Sequence, residues 1–356
     1  MKPWMGLLSG TSMDGITAVV TVPLKKATVL NHIHRPWHPK LKEDFLAYQA
    51  TSPTPSDRDE KLENKMGIQF GEVALEALLE HDVQGIGFHG QTAAHRPDLG
   101  WSLQVGNPSL VAKMTKLPVW SAFRNGDIAA GGQGAPLAPI LDHYQLDEIA
   151  PPTLRLNLGG IVNGTFLSPK EDALVASDIG LCNDLLDSLW KAHGGDGAFD
   201  RGGKETARGR AQDPRRLPLL AHPFLKLPPP KSTHTSAWIA EKEQTIQSLN
   251  DLTRMDALAS AARLIATQVG DWVKRNCPTP PQEVVLAGGG ARNEGLCRAL
   301  LYRLGLPSIT KDPWGDAREG ILFAHLAQGA YHALPLSLPQ TTGARKSVVL
   351  GERWDP

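Results

Sequence analysis

Three glycine-containing turns carry the residue types and spacings that point to chemistry. Ser9-Gly10-Thr11-Ser12-Met13-Asp14-Gly15 sets hydroxyls and one carboxylate among glycines. Glycine at a strand end lets backbone N–H groups approach an anion with no Cβ in the way. The hydroxyls here can donate to phosphate oxygens, and Asp14 could hold Mg2+ directly or through water. Asn157-Leu158-Gly159-Gly160-Ile161-Val162-Asn163 could do the same from the second half of the chain, and Gly288-Gly289-Gly290-Ala291, ahead of a helix, suits the adenosine or α-phosphate end of a nucleotide. None of the three matches Gly-x4-Gly-Lys-Ser/Thr, nor Gly-x-Gly-x-x-Gly with an acidic residue about 20 positions on, so neither a P-loop nor a Rossmann site is expected. One such turn is as readily a tight loop without a ligand. Three in a single α/β chain favour a phosphate compound.

The turns need strands to hold them. Residues 5–22 read as an apolar strand, the first polar turn, and a second apolar strand from Ile16 to Val22, a hairpin with an oversized polar tip. Leu62, Met66, Phe70, Val73, Ala77 and Leu78 recur at helical steps and give a helix ending near His81. The short strand 85–88 that follows runs into a polar turn, His89-Gly90-Gln91-Thr92. Residues 154–166 again read strand, glycine turn, strand, which hints at a duplicated architecture. After Asp178-Ile179-Gly180 a helix carries Leu181, Leu185, Leu186 and Leu189. Residues 213–236 are dense in Pro and basic residues and form an ordered loop or a linker. A long amphipathic helix spans about 253–274, capped by Asp251 or Thr253, and leads to a buried-type strand ending in Gly288.

A chain of 356 residues suggests two domains. Its 37 Lys+Arg balance 37 Asp+Glu, so no global charge draws it to nucleic acid or an anionic membrane, and neither partner is expected. Cys182, Cys277 and Cys297 are far apart in sequence and form no Cys-x-x-Cys pair, and the N-terminus has no apolar leader core; both point to a cytoplasmic protein. The 35 Gly and 28 Pro are clustered, the glycines at strand-end turns. The basic run Lys204, Arg208, Arg210, Arg215 and Arg216 is read as a solvated surface.

A series of motifs then resembles one family. Leu8-Ser9-Gly10-Thr11-Ser12-Met13-Asp14-Gly15, Gly87-Phe88-His89-Gly90-Gln91-Thr92 with His95 and Pro97, and Gly126-Asp127-Ile128-Ala129-Ala130-Gly131-Gly132-Gln133-Gly134-Ala135-Pro136 look like anhydro-N-acetylmuramic acid kinase. So do Asn157 to Asn163, Gly288-Gly289-Gly290-Ala291-Arg292-Asn293 and Thr342-Gly343-Ala344. The resemblance implies a two-domain α/β, actin/hexokinase-like (ASKHA) fold with duplicated ribonuclease H-like domains and an interdomain ATP cleft. The division is expected at 1–135 and 136–356, with the last helix packing back on the N-terminal domain. It also implies the reaction: with ATP and Mg2+, the 1,6-anhydro ring of anhydro-N-acetylmuramic acid is opened by water and O6 is phosphorylated, during peptidoglycan recycling. Beyond ATP and the anhydrosugar, a homodimer is compatible with the sequence.

By the same resemblance the general base is Asp178, in Asp178-Ile179-Gly180-Leu181-Cys182-Asn183. The nucleotide and its metal fall to Gly10, Thr11, Ser12, Met13, Asp14, Gly15, Ile16 and Thr17, with Asn157, Gly159, Gly160, Gly288, Gly289 and Gly290. Gln91, Arg124, Asp127 and Glu319 are the expected sugar contacts, because amide, guanidinium and carboxylate groups match hydroxyl, lactyl carboxylate and acetamide functions. Five positions depart from the family pattern: Thr17, Ala122, Ile179, Leu181 and His234. They leave two further readings, a kinase of another anhydrosugar such as levoglucosan and a non-catalytic ATP- or sugar-binding relative.

Overall fold

The computed structural model describes residues 2–10, 13–23, 27–144, 151–168 and 173–356. Two compact units result: Met1–Gln145 with Asp316–Pro356, and Leu146–Gly315. The division thus falls later than residue 135, and the chain returns to the first unit for its last segment. A buried ion pair between Asp142 and Arg318 ties the two stretches of the first unit together, which is one reason residues 136–144 stay with it.

The first unit is built on β1 (Trp4–Leu8), β2 (Gly15–Val22), β3 (Thr28–Pro36), β4 (Ile86–Arg96), β5 (Trp101–Val105), β6 (Val119–Ser121) and β12 (Glu352–Trp354). Their order is β12-β6-β4-β1-β2-β3, with β5 on β4. Helices α1 (Pro39–Ala50), α2 (Glu60–Leu78), α3 (Pro108–Thr115), α4 (Phe123–Ala129) and α5 (Pro139–Tyr144) accompany it. The helical spacing of residues 62–78 appears as α2, started by the Asp59 carboxylate, which accepts from the Leu62 N–H at 3.0 Å. Its face of Leu62, Met66, Phe70, Val73 and Ala77 meets Met5, Leu7, Ile16 and Phe88 in one apolar core. The expected turn at residues 89–92 is instead the middle of β4. Gly90, at φ +73°, takes a bulge against β1, and the strand continues because residues 91–96 pair with β5.

The second unit carries β7 (Thr153–Leu158), β8 (Ile161–Ser168), β9 (Ala173–Leu181), β10 (Glu283–Ala287) and β11 (Thr310–Lys311), in the order β11-β10-β7-β8-β9. Helices α6 (Asn183–Ala192), α7 (Ile239–Leu249), α8 (Arg254–Asn276) and α9 (Glu294–Leu304) surround the sheet. Thr253, one of two expected caps, accepts from the Asp256 N–H and starts α8, whose Leu258, Ile265, Val269 and Trp272 enter the core. The Pro-rich stretch is ordered as successive single-turn 3-10 helices, pinned by the buried Leu219, Phe224, Leu225 and Trp238.

Each sheet repeats one plan. β1, β2 and β3 are antiparallel neighbours, and β4 and β6 add parallel on the other side of β1. β7, β8 and β9 are likewise antiparallel, and β10 and β11 add parallel beyond β7. The duplication that the repeated strand-turn-strand device suggests is therefore one of topology.

Two further helices, α10 (Arg318–Tyr331) and α11 (Pro339–Thr342), belong to the first unit. α10 lies directly on β1 and β4, where the register partners Gly6 and Gly87 sit side by side. A Cβ on Gly6 would overlap the Gly320 carbonyl, and one on Gly87 the Phe323 carbonyl. Only bare backbone permits this approach. Among the described residues no helix is long and apolar enough to cross a membrane.

Candidate active site

In the first unit the turn between β1 and β2 is anchored at both ends. The Ser9 N–H donates to the Gly90 carbonyl at 3.2 Å, and Ser9 Oγ accepts from Trp37 Nε1 at 3.0 Å. The Met13 N–H donates to the Gly10 carbonyl at 3.1 Å, with Met13 at φ +51°. Thr11 and Ser12 lie outside the described residues. Met13 and Ile16 send their side chains into the core, so only their backbone can face a ligand. Asp14 is exposed. Thr17 Oγ1 is 3.0 Å from Nδ1 of its cross-strand partner His34, so the hydroxyl at this position of departure already has a neighbour.

Gln91, on β4, is 1% exposed, and its Oε1 is buried without a hydrogen-bond partner. Such a carbonyl costs roughly 1–3 kcal/mol unless a ligand or water satisfies it. Two residues earlier His89 is buried, its Nε2 accepting from Arg124 Nε at 3.2 Å, which leaves the proton on Nδ1, 3.1 Å from the Gly90 carbonyl. Arg124 also donates to the Gly134 carbonyl at 2.8 Å. His89 therefore acts as a neutral support for Arg124. Burial first, and the Arg124 charge second, lower its pKa to about 3.

The sign of the resulting pH effect is definite. As pH falls below 6.5 the unfolded chain takes up a proton at this site before the folded one does. The stability that neutral His89 contributes is complete above pH 6.5 and is lost progressively toward pH 3. His325, lowered to about 4 by burial, adds to the same trend. Denaturant unfolding between pH 7 and pH 4 should show a smaller loss of stability in His89→Gln than in the parent protein.

Glu319 stands in the first turn of α10. Burial by the surrounding protein raises its pKa; Arg124 and Arg318 oppose this and Asp14 reinforces it. Although the surrounding protein crowds the carboxylate, the residue as a whole still reaches solvent, which screens the effect. Arg124 thus contacts His89, two residues before Gln91 on β4, and acts on the charge of Glu319.

Asp127 is bonded into the fold. It is fully buried, with Oδ1 accepting from Thr342 Oγ1 and Oδ2 from the Gly134 N–H, each at 2.7 Å. Burial raises its pKa and these two bonds lower it. Both oxygens are engaged within the fold, so its placement favours fixing the glycine-rich loop to α11 over contacting a sugar.

In the second unit two of the glycine turns meet. Asn183 Nδ2 donates to the Leu158 carbonyl at 2.8 Å, and the Asn183 N–H to the Gly159 carbonyl at 3.0 Å. From the other side Gly288, at φ +79°, approaches so closely that a Cβ would come 2.5 Å from Asn157 Oδ1, while one on Gly290 would come 2.8 Å from Asn183 Oδ1. Asn157, Gly159, Gly160, Gly288, Gly289 and Gly290 are thereby gathered around Asn183. In the sequence Asn183 is only the last residue of the Asp178 motif, and its amide carries no separate signal.

Asp178 lies inside β9 at a register shift, and α6 begins five residues later with Cys182 at its N-cap and no side-chain cap bond. It pairs with Asn163, which pairs with Asn157, so three polar, half-buried residues cross the sheet in one row. Asp178 Oδ2 accepts from the Thr233 N–H at 2.8 Å, and the Asp178 N–H donates to the Lys231 carbonyl at 3.0 Å. Ile179 and Leu181 fill the core, at 1% and 0% exposure, which accounts for apolar residues at these two positions of departure.

Comparison with known proteins agrees with the motifs. The family model for anhydro-N-acetylmuramic acid kinase matches residues 2–355. Proteins named anhydro-N-acetylmuramic acid kinase from Microcystis aeruginosa and Bordetella pertussis are each 35% identical over 98% of this chain, covering 98% and 94% of their own lengths. One from Xanthomonas campestris is 34% identical over 98% of this chain and 96% of its own. In fold alone, the chain resembles (R)-2-hydroxyglutaryl-CoA dehydratase component A from Acidaminococcus fermentans, with a TM-score of 0.51 at 12% identity over 91% of this chain and 97% of that one. The paired sheets are those of the actin/hexokinase-like fold. By its match over nearly every residue, the chain belongs to the anhydro-N-acetylmuramic acid kinase family, a family of enzymes.

Proposed function

We propose that this protein opens 1,6-anhydro-N-acetylmuramic acid with water and transfers the γ-phosphoryl group of ATP to O6, giving N-acetylmuramate 6-phosphate and ADP in the cytoplasm. The observation that carries the reading is the row Asn157–Asn163–Asp178 beside the converging glycine turns, in a chain matched to the family from end to end. Asp178 takes a proton from the water that attacks the anomeric carbon, the C1–O6 bond breaks, and O6 attacks the γ-phosphorus as ADP departs. The bond from Thr233 fixes Oδ2 of the base. Gln91 Oε1 accepts from a sugar N–H or O–H, and Arg124 meets the lactyl carboxylate. Glu319 accepts from sugar hydroxyls. By the family resemblance the first glycine turn and Gly159–Gly160 are assigned to the phosphates, and Gly288–Gly290 to the adenosine end.

The donor chemistry fits Mg2+. Among the described residues no group of three His, Cys, Asp or Glu forms a protein-only metal site. Mg2+ commonly takes one or two carboxylates and completes its shell with phosphate oxygens and water, and exposed Asp14 can supply one. When bound, the ion neutralises charge on the β- and γ-phosphates.

The test is product formation by the purified protein with ATP, Mg2+ and the anhydro-muramic sugar, with levoglucosan run in parallel. One ADP per N-acetylmuramate 6-phosphate is expected. Equal turnover of levoglucosan would overturn the sugar assignment, and sugar-independent ATP binding without turnover would return the non-catalytic reading.

A further inference from the structure

Lys231 is a buried charge that the proposed reaction does not use. Only 4% exposed, it sends Nζ to the Phe224 carbonyl at 2.7 Å, with the Phe224 ring centroid 4.4 Å from the ammonium. Its backbone carbonyl is the acceptor for the Asp178 N–H, and two residues on the Thr233 N–H holds Asp178 Oδ2. Thr233 Oγ1 is in turn fixed by Trp238 Nε1 at 3.0 Å, and Trp238 is fully buried. The loop therefore grips Asp178 at its backbone and at its carboxylate, and is itself anchored at one end by the Lys231 ammonium and at the other by Trp238.

We propose that Lys231 is a positioning residue for Asp178, holding the 231–233 loop so that the carboxylate is fixed and ionised for proton abstraction. The proposal rests on Asp178 being the base. Two consequences follow from the geometry. Without the tether the loop can shift, and a displacement of about 1 Å in a reacting group can cost about 10²-fold in rate. Without the positive charge, Asp178 loses a neighbour that favours its ionised form. The charged groups acting on Lys231 are Arg275, from α8, which opposes its protonated form, and Asp178, from β9, which supports it. The Lys231 ammonium and the Asp178 carboxylate therefore act on each other as opposite charges.

The experiment compares Lys231→Met and Asp178→Asn with the parent enzyme across pH 4–9. For Lys231→Met, kcat is expected to fall about 10- to 100-fold with KM for ATP nearly unchanged, and the acidic limb of kcat to move to higher pH. A residue that only supports the fold would not move that limb. An inactive Asp178→Asn with a Lys231→Met variant that keeps both the parent kcat and acidic limb overturns the proposal alone. An Asp178→Asn variant at parent turnover overturns it together with the base assignment. Should Lys231→Met fail to fold, Lys231→Arg decides, because it keeps the charge but not the fit of Nζ to the Phe224 carbonyl. A lowered kcat with the acidic limb in place supports the proposal, and the parent kcat overturns it.

Discussion

Replacing Asp178 with Asn is expected to lower kcat by about 10²- to 10⁴-fold, the span that positioned general-base catalysis supplies. The substitution is nearly isosteric. Asn can still accept from the Thr233 N–H, the backbone bond to Lys231 is untouched, and β9 keeps its pairing with Asn163. What is lost is a group able to take the proton of the attacking water. Binding of the nucleotide should survive, because the glycine turns around Asn183 do not depend on the charge. Single-turnover measurements of sugar phosphate, read beside thermal unfolding, check both halves of the claim. A large loss of kcat with an unchanged melting profile is expected, and parent-level turnover would remove Asp178 from the mechanism.

The second large effect is on the fold. Gly87→Ala places a methyl group where the Phe323 carbonyl of α10 already sits. Neither partner can rotate away, since one is strand backbone and the other helix backbone. Overpacking of this kind costs about 1–3 kcal/mol, and the upper end is expected here. α10 must lift from β1 and β4, taking Glu319 with it, so activity should fall along with stability. Equilibrium unfolding in urea measures the first and the turnover assay the second. An Ala variant of full stability would show that the helix is not held at this distance.

The sequence by itself determined the family, the glycine turns and the helices and strands that flank them. The reason is local. Apolar residues 62–78 repeat at the helical period, Thr253 is a good cap, and glycines cluster where strands end. The tertiary structure decided what such signals cannot carry. His89-Gly90-Gln91-Thr92 reads as a turn by composition, yet pairing with β5 makes it strand, since the partner lies ten or more residues away. Asp127 looks like a ligand group because a carboxylate in a glycine-rich block usually faces solvent; only the fold brings Thr342, 215 residues on, to occupy it. Asp178 stands in a strand held by the 231–233 loop, a contact over 50 residues of separation that no period in the sequence encodes. Chemistry-bearing residue types are a property of the chain, but whether their polar atoms face a substrate or one another is settled by which distant segments pack against them.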